Sequence, residues 1–242
     1  MSGQVSARLL GAPQLLINGE EPPAELLWRK HLALCIALWC APERRRSRDQ
    51  LVGLLWSDKS ERAAKHSLNE ALRVIRRSVG SDAIDTTGDA VVWIDAPELD
   101  TDRFLALELG EPDRAAELVQ GSFCDGLVVQ GAQAFESWLT AERDRWQAKC
   151  VDALVRASAA AEDRGDARRA LELAERAVSL NELSDLAAQS LIRAHWLAHD
   201  RAAALAAGDA FRRRLERDLG IEPEERTSAL LARVERQRWP TP

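Results

Sequence analysis

The stretch SERAAKHSLNEALRVIRRSV, Ser60 to Val79, holds the densest group of side chains able to do chemistry in this 242-residue chain. Ala64, Leu68, Ala71, Leu72, Ile75 and Val79 recur at helical spacing and form one apolar stripe. Opposite it stand Arg62, Lys65, His66, Asn69, Arg73, Arg76 and Arg77. Arg and Lys donate to guanine edges and phosphates, Asn pairs with the donor and acceptor of adenine, and an α-helix fits the major groove. Such a helix reads bases from its first and middle turns, which assigns base contacts to Lys65, His66, Asn69 and Arg73. Arg76 and Arg77 then lie nearer the DNA backbone or pack on the domain. A second basic cluster, Arg44, Arg45, Arg46 and Arg48, sits in a turn, where it either grips phosphates or merely keeps the turn solvated.

Other chemistry lacks an anchor. The sequence holds no GxxxxGK[ST] phosphate loop, no GxGxxG after a strand, no HExxH and no GxSxG. His195 and His199 are four apart, as helical ligands would be, but no third ligand accompanies them. Cys35, Cys40, Cys124 and Cys150 form no CxxC pair and read as reduced, mostly buried thiols. No catalytic residue, metal ligand or cofactor is expected, and the chain is read as a non-enzyme.

The surrounding elements must position the basic helix. VSARLLGAPQLLING alternates apolar and polar residues around turn signals, Asn18-Gly19 the strongest, and reads as short antiparallel strands. Trp28, Leu32, Cys35, Ile36 and Trp39 form a single apolar stripe on a first helix that ends before Pro42. A short second helix covers about Arg48 to Trp56. The third is the basic helix, with Ser57-Asp58 or Ser60 as N-cap and Gly80 as C-cap. AIDT and AVVWI, separated by Thr87-Gly88-Asp89, read as a hairpin that would carry Thr87 to the DNA. Strands, three helices and a hairpin make an α+β winged helix-turn-helix over residues 1–97. Charge follows the same division: Trp28 to Arg77 holds twelve Lys/Arg against five Asp/Glu, whereas Ser81 to Gly131 holds two against twelve. The boundary is expected near Asp95 to Asp102, around Pro97.

Residues 98–242 read as all-α, which makes the whole chain mainly helical. GDARRALELAERAV (Gly165 to Val178) aligns with HDRAAALAAGDAFR (His199 to Arg212) at an offset of 34, the tetratricopeptide (TPR) period. Asp166 pairs with Asp200, Ala170 with Ala204, Leu171 with Leu205, Ala174 with Gly208 and Ala177 with Phe211. The small residues suit a close helix–helix contact. Gly220 caps a helix, and Pro223 opens the next. Apolar runs such as Leu32 to Cys40 are too short to span a membrane, and MSGQVSARLL lacks the pattern of a signal peptide, so a cytoplasmic location is expected.

Over essentially its full length the chain resembles the antibiotic regulatory protein (SARP) family of bacterial activators. The carrying stretches are RDQLVGLLW, AKHSLNEALRVIRRSVG, GSFCDGL, FESWLTAERDRW, GDARRALELAERAVSLNEL and FRRRLERDLGIEPEE. It departs at Ala90-Val91, where the family commonly has Gly-Tyr, and at Asn181, where Pro is usual. The resemblance implies an OmpR-type winged helix joined to a bacterial transcriptional activator domain with TPR-like repeats. It implies binding of double-stranded DNA at promoter-proximal direct repeats, as a homodimer or head-to-tail pair, and recruitment of RNA polymerase through its sigma or another subunit. The DNA-facing set is then Arg62, Lys65, His66, Asn69, Arg73, Arg77, Arg44, Arg46 and Thr87. A competing reading, favoured by the net charge of −6 and the altered wing, is a TPR-like protein-interaction module whose winged helix no longer binds DNA.

Overall fold

A computed structural model describes residues 3–236. The fold divides into two compact units, Met1–Arg103 with Gly121–Asp144, and Phe104–Gln120 with Arg145–Pro242.

In the first unit, β1 (Val5–Arg8) and β2 (Gln14–Ile17) pair antiparallel, Val5 opposite Ile17. Val5, Ala7 and Leu15 point inward, as the alternation requires. Asn18 and Gly19 take φ of 53° and 82° and turn the chain back so that Glu20 bridges Ile17. The third strand of this sheet comes from beyond residue 97. It is β6 (Glu98–Leu99), which runs parallel to β1 and gives the order β2-β1-β6.

Helix α1 (Arg29–Trp39) departs from the expected single stripe: every residue from Leu32 to Trp39 is buried. LALCIALW contains no polar break, so the helix is enclosed on all sides. Trp28, expected in the stripe, is the N-cap and is 61% exposed, stacked on His31 at 5.6 Å. Burial pushes the Cys35 and Cys124 thiols well above their ordinary range, which removes both as thiolate nucleophiles at neutral pH.

A three-residue strand, β3 (Arg45–Ser47), leads into α2 (Arg48–Leu55). Ser47 caps α2 by accepting from the Gln50 N–H, while the Gln50 side chain accepts from the Ser47 N–H. Helix α3 (Glu61–Val79) follows, with Ser60 at the N-cap. Its stripe is buried as expected, with Val74 in addition. The wing is β4 (Ile84–Asp85) and β5 (Ala90–Trp93), which pair antiparallel; β3 adds to the far side of β5, giving β3-β5-β4. Val91, where the family has a different residue, is fully buried, and Trp93 meets Trp39 edge-on at 5.2 Å.

Residues 121–144 complete this unit. Leu10 bridges Phe123, the Leu9 carbonyl accepts from the Cys124 N–H at 2.7 Å, and the Gly11 carbonyl accepts from the Asp125 N–H at 2.9 Å. Arg29 donates to the Val128 carbonyl, and Lys30 to that of Gly131. Arg143 donates to the carbonyls of Phe123, Cys124 and Leu127 and so closes the loop on itself. The carboxylate of Asp100, at the start of α4 (Asp100–Leu107), accepts from the Leu9 and Leu10 N–H groups. Burial outweighs these bonds and raises the Asp100 pKa. The folded state therefore holds this proton longer than the unfolded chain, and the stability it contributes in acid is lost as pH rises through the raised value.

The second unit is helical: the end of α4, α5 (Pro112–Leu118), the greater part of α6 (Gln133–Asp163), α7 (Ala167–Leu180), α8 (Asp185–Leu197), α9 (Arg201–Leu219) and α10 (Glu225–Arg236). The 34-residue repeat appears in its hydrogen bonds. At the end of α6, Gly165 N–H reaches Glu162 O and Asp166 N–H reaches Ala161 O; at the end of α8, His199 N–H reaches Trp196 O and Asp200 N–H reaches His195 O. Both are Schellman stops with a left-handed residue, Gly165 at 73° and His199 at 62°. Asp166 and Asp200 then cap α7 and α9, accepting from Arg169 and Ala203 N–H. Where the family favours Pro, Asn181 ends α7, its side chain accepting from the Leu183 N–H.

Ala170, Ala174, Ala177, Ala204, Gly208 and Phe211 are buried. A Cβ on Gly208 would lie 2.1 Å from Leu231 of α10, so the small residue at this repeat position permits the contact. Ala174 packs with Ala161, Ala170 and Ala194 in one cluster. Ala174→Leu is expected to overpack it and cost about 1–3 kcal/mol. Chemical denaturation reads this directly, and an unmoved midpoint would mean the repeat contact is misassigned.

Candidate nucleic-acid interface

The exposed side of α3 follows from its buried side. With Ala64, Leu68, Ala71, Leu72, Ile75 and Val79 in the core, Arg62, Lys65, His66, Asn69 and Arg73 face solvent. Ser60, Glu61, Arg62, Lys65, His66 and Asn69 line one shallow, open groove. No group of three or more His, Cys, Asp or Glu among the described residues is arranged to hold a metal ion.

The cations on this face sit beside carboxylates. Lys65 pairs with Glu61 at 2.5 Å and Arg73 with Glu70 at 2.8 Å, all four side chains exposed. These hydrogen bonds hold both carboxyls below, and both cations above, their ordinary pKa values. Arg77 pairs with Glu25. Exposed pairs of this kind exchange readily for a stronger anion.

Arg76 is held inward, donating to the Ile84 carbonyl at 3.2 Å and to Thr86 Oγ1 at 2.5 Å, which ties α3 to the wing. At the wing tip Thr87 is exposed. Its N–H and hydroxyl both donate to Asp85, and these bonds hold that carboxyl below its ordinary pKa. Gly88 completes the turn at φ 75°.

The basic turn divides. Arg45 is exposed, and Arg44 pairs with Asp102 at 2.7 Å. Arg46, expected among the phosphate-gripping residues, is turned into the fold. Its Nε donates to the Ala37 carbonyl at 2.8 Å, and its guanidinium lies 5.8 Å from the centre of the Trp138 ring. Arg48, expected with its cluster to grip phosphates, instead donates from its side chain to Asn69 Oδ1 on α3. Its own N–H donates to the Asp89 carbonyl at the wing turn, 2.7 Å away. The signal that could have singled it out is local: Ser47 followed by Gln50 fixes Arg48 as the first residue of α2.

Residues 98–235 match the bacterial transcriptional activator domain family. No curated protein matches the sequence. Among solved structures, Mycobacterium tuberculosis EmbR, determined in complex with a low-affinity phosphopeptide, superposes with a TM-score of 0.77 at 21% identity. The alignment covers 98% of this chain and 66% of that one, so the chain spans just under two thirds of its neighbour's length. No helix among the described residues is long and apolar enough to cross a membrane.

Proposed function

We propose, for a chain that belongs to the bacterial transcriptional activator domain family, that it is a SARP-type regulator that activates transcription by sequence-specific binding of double-stranded DNA. The DNA-contacting elements lie within residues 1–97, in a unit that residues 98–103 and 121–144 complete, and the activator function belongs to the region from residue 98 that matches the family. The observation that carries this reading is α3: a buried stripe on one side, and Arg62, Lys65, His66, Asn69 and Arg73 presented on the other beside an exposed wing tip. Asn69 and Arg73 contact base edges. Arg62, Arg44, Arg77 and Thr87 contact the backbone, as does Arg45, which is exposed where Arg46 is turned inward. Two copies bind direct repeats head to tail in the cytoplasm and recruit RNA polymerase.

The pairing of the α3 cations with carboxylates is what a non-binding winged helix would also display. Salt separates the two readings. Retention on random duplex DNA is expected to fall steeply with salt, and Arg62→Ala to reduce the slope of log affinity against log salt by about one unit. Retention that is absent at low salt would leave the protein-interaction reading in place.

A further inference from the structure

Asn69 does not present a free amide to the groove. Its Oδ1 accepts from the Arg48 guanidinium, and Arg48 has its main chain fixed from two directions. It is the first residue of α2 behind the Ser47–Gln50 cap, and its N–H is held by the Asp89 carbonyl of the wing turn. The pairing sets the orientation of the Asn69 amide: the acceptor faces Arg48, and the Nδ2 donors face outward. An asparagine amide has one oxygen and two N–H donors, and a guanidinium has donors only. Together the pair offers the approaching base edge an excess of donors.

This decides between purines. Adenine presents N7 as acceptor and N6 as donor, and an asparagine reads it by accepting from N6 while donating to N7. Here one lone pair of Oδ1 is already taken by the guanidinium, so N6 could reach the other only by crowding a cationic donor on the same oxygen. Guanine presents O6 and N7, both acceptors, and suits two converging donors. The clash with adenine supplies discrimination as much as the match to guanine does. We infer that Arg48 is a specificity-determining residue that holds Asn69 in a donor-presenting orientation, so that the pair selects guanine and rejects adenine. The inference rests on the DNA-binding reading of α3 and reverses the adenine preference expected of Asn69 alone.

The test is selection from a randomised duplex pool by the full chain, followed by sequencing, for the parent, Asn69→Ala and Arg48→Ala. Asn69 is exposed and Arg48 half-buried, neither belongs to the core, and thermal melts check folding. One base-pair position should lose its preference in Asn69→Ala. In the parent that position should show guanine over adenine by at least about fivefold, and in Arg48→Ala the preference should shift towards adenine. Adenine at that position in the parent, or a preference unmoved by Arg48→Ala, overturns the inference while leaving DNA binding intact. Should Arg48→Ala retain too little affinity to select, the parent decides alone: guanine at the Asn69-dependent position supports the inference, and adenine overturns it. A folded parent that enriches no sequence overturns the DNA-binding reading itself, and the inference with it.

Discussion

Replacing Arg73 or Asn69 with alanine is expected to weaken binding to the cognate site roughly ten- to hundredfold, while affinity for random duplex changes far less. The two residues stand one turn apart on the exposed side of α3, and neither belongs to the buried stripe, so the fold should survive. The control comes from the opposite side of the same helix. Leu72 is 2% exposed, and Leu72→Ala should cost about 2–5 kcal/mol and abolish binding by loosening the domain. Gel-shift titrations on cognate and random duplexes, beside thermal melts, separate the two effects. Folded Arg73 and Asn69 variants that bind the cognate site as tightly as the parent would make α3 a structural surface.

The second large effect concerns where the first compact unit ends. A fragment of residues 1–97 should show no cooperative unfolding transition, whereas 1–144 should melt as a folded species. Cutting after residue 97 removes β6 from the first sheet, Asp100 from the Leu9 and Leu10 amides, and the whole of 121–144. Phe123, Leu127, Val129, Phe135 and Leu139 are buried in that last segment. Burial of such side chains contributes roughly 1.5–3 kcal/mol each. Their sum rivals the net stability of a whole domain, about 5–15 kcal/mol. A cooperative melt of the shorter fragment near the temperature of the longer one would overturn this boundary.

What was legible in the sequence was periodic or repeated. The α3 stripe could be read because each apolar residue sits where a 3.6-residue period puts it, and the helical repeat because Asp166 and Asp200 hold the same place 34 residues apart. The wing hairpin was legible through its β-rich runs and its Gly88 turn. Strands β3 and β6 were not. Arg-Arg-Ser and Glu-Leu have no apolar alternation, and they join sheets through backbone bonds that depend on distant partners. The full enclosure of α1 was hidden because an unbroken apolar run looks the same whether one side or all sides are covered. Arg46 and Arg48 were indistinguishable in a run of arginines. Only the positions of Ala37 and Trp138, and of Asn69, show that one packs inward and the other reaches the α3 surface.

The carboxylates beside the α3 cations have a consequence for selectivity. Any acceptor on DNA that takes Lys65 must displace Glu61, and a base edge that takes Arg73 must displace Glu70. The protein thus carries its own competitor anions, tethered where no dilution removes them. Against a random duplex, which offers only backbone charge, the displaced carboxylate offsets part of what each such contact gains. At the proposed operator the same exchange would be accompanied by base contacts, which the carboxylates cannot mimic. For a chain that binds DNA as proposed, tethered competition of this kind would limit its sequestration along the excess of non-cognate DNA in a genome and leave more of it free to reach its site.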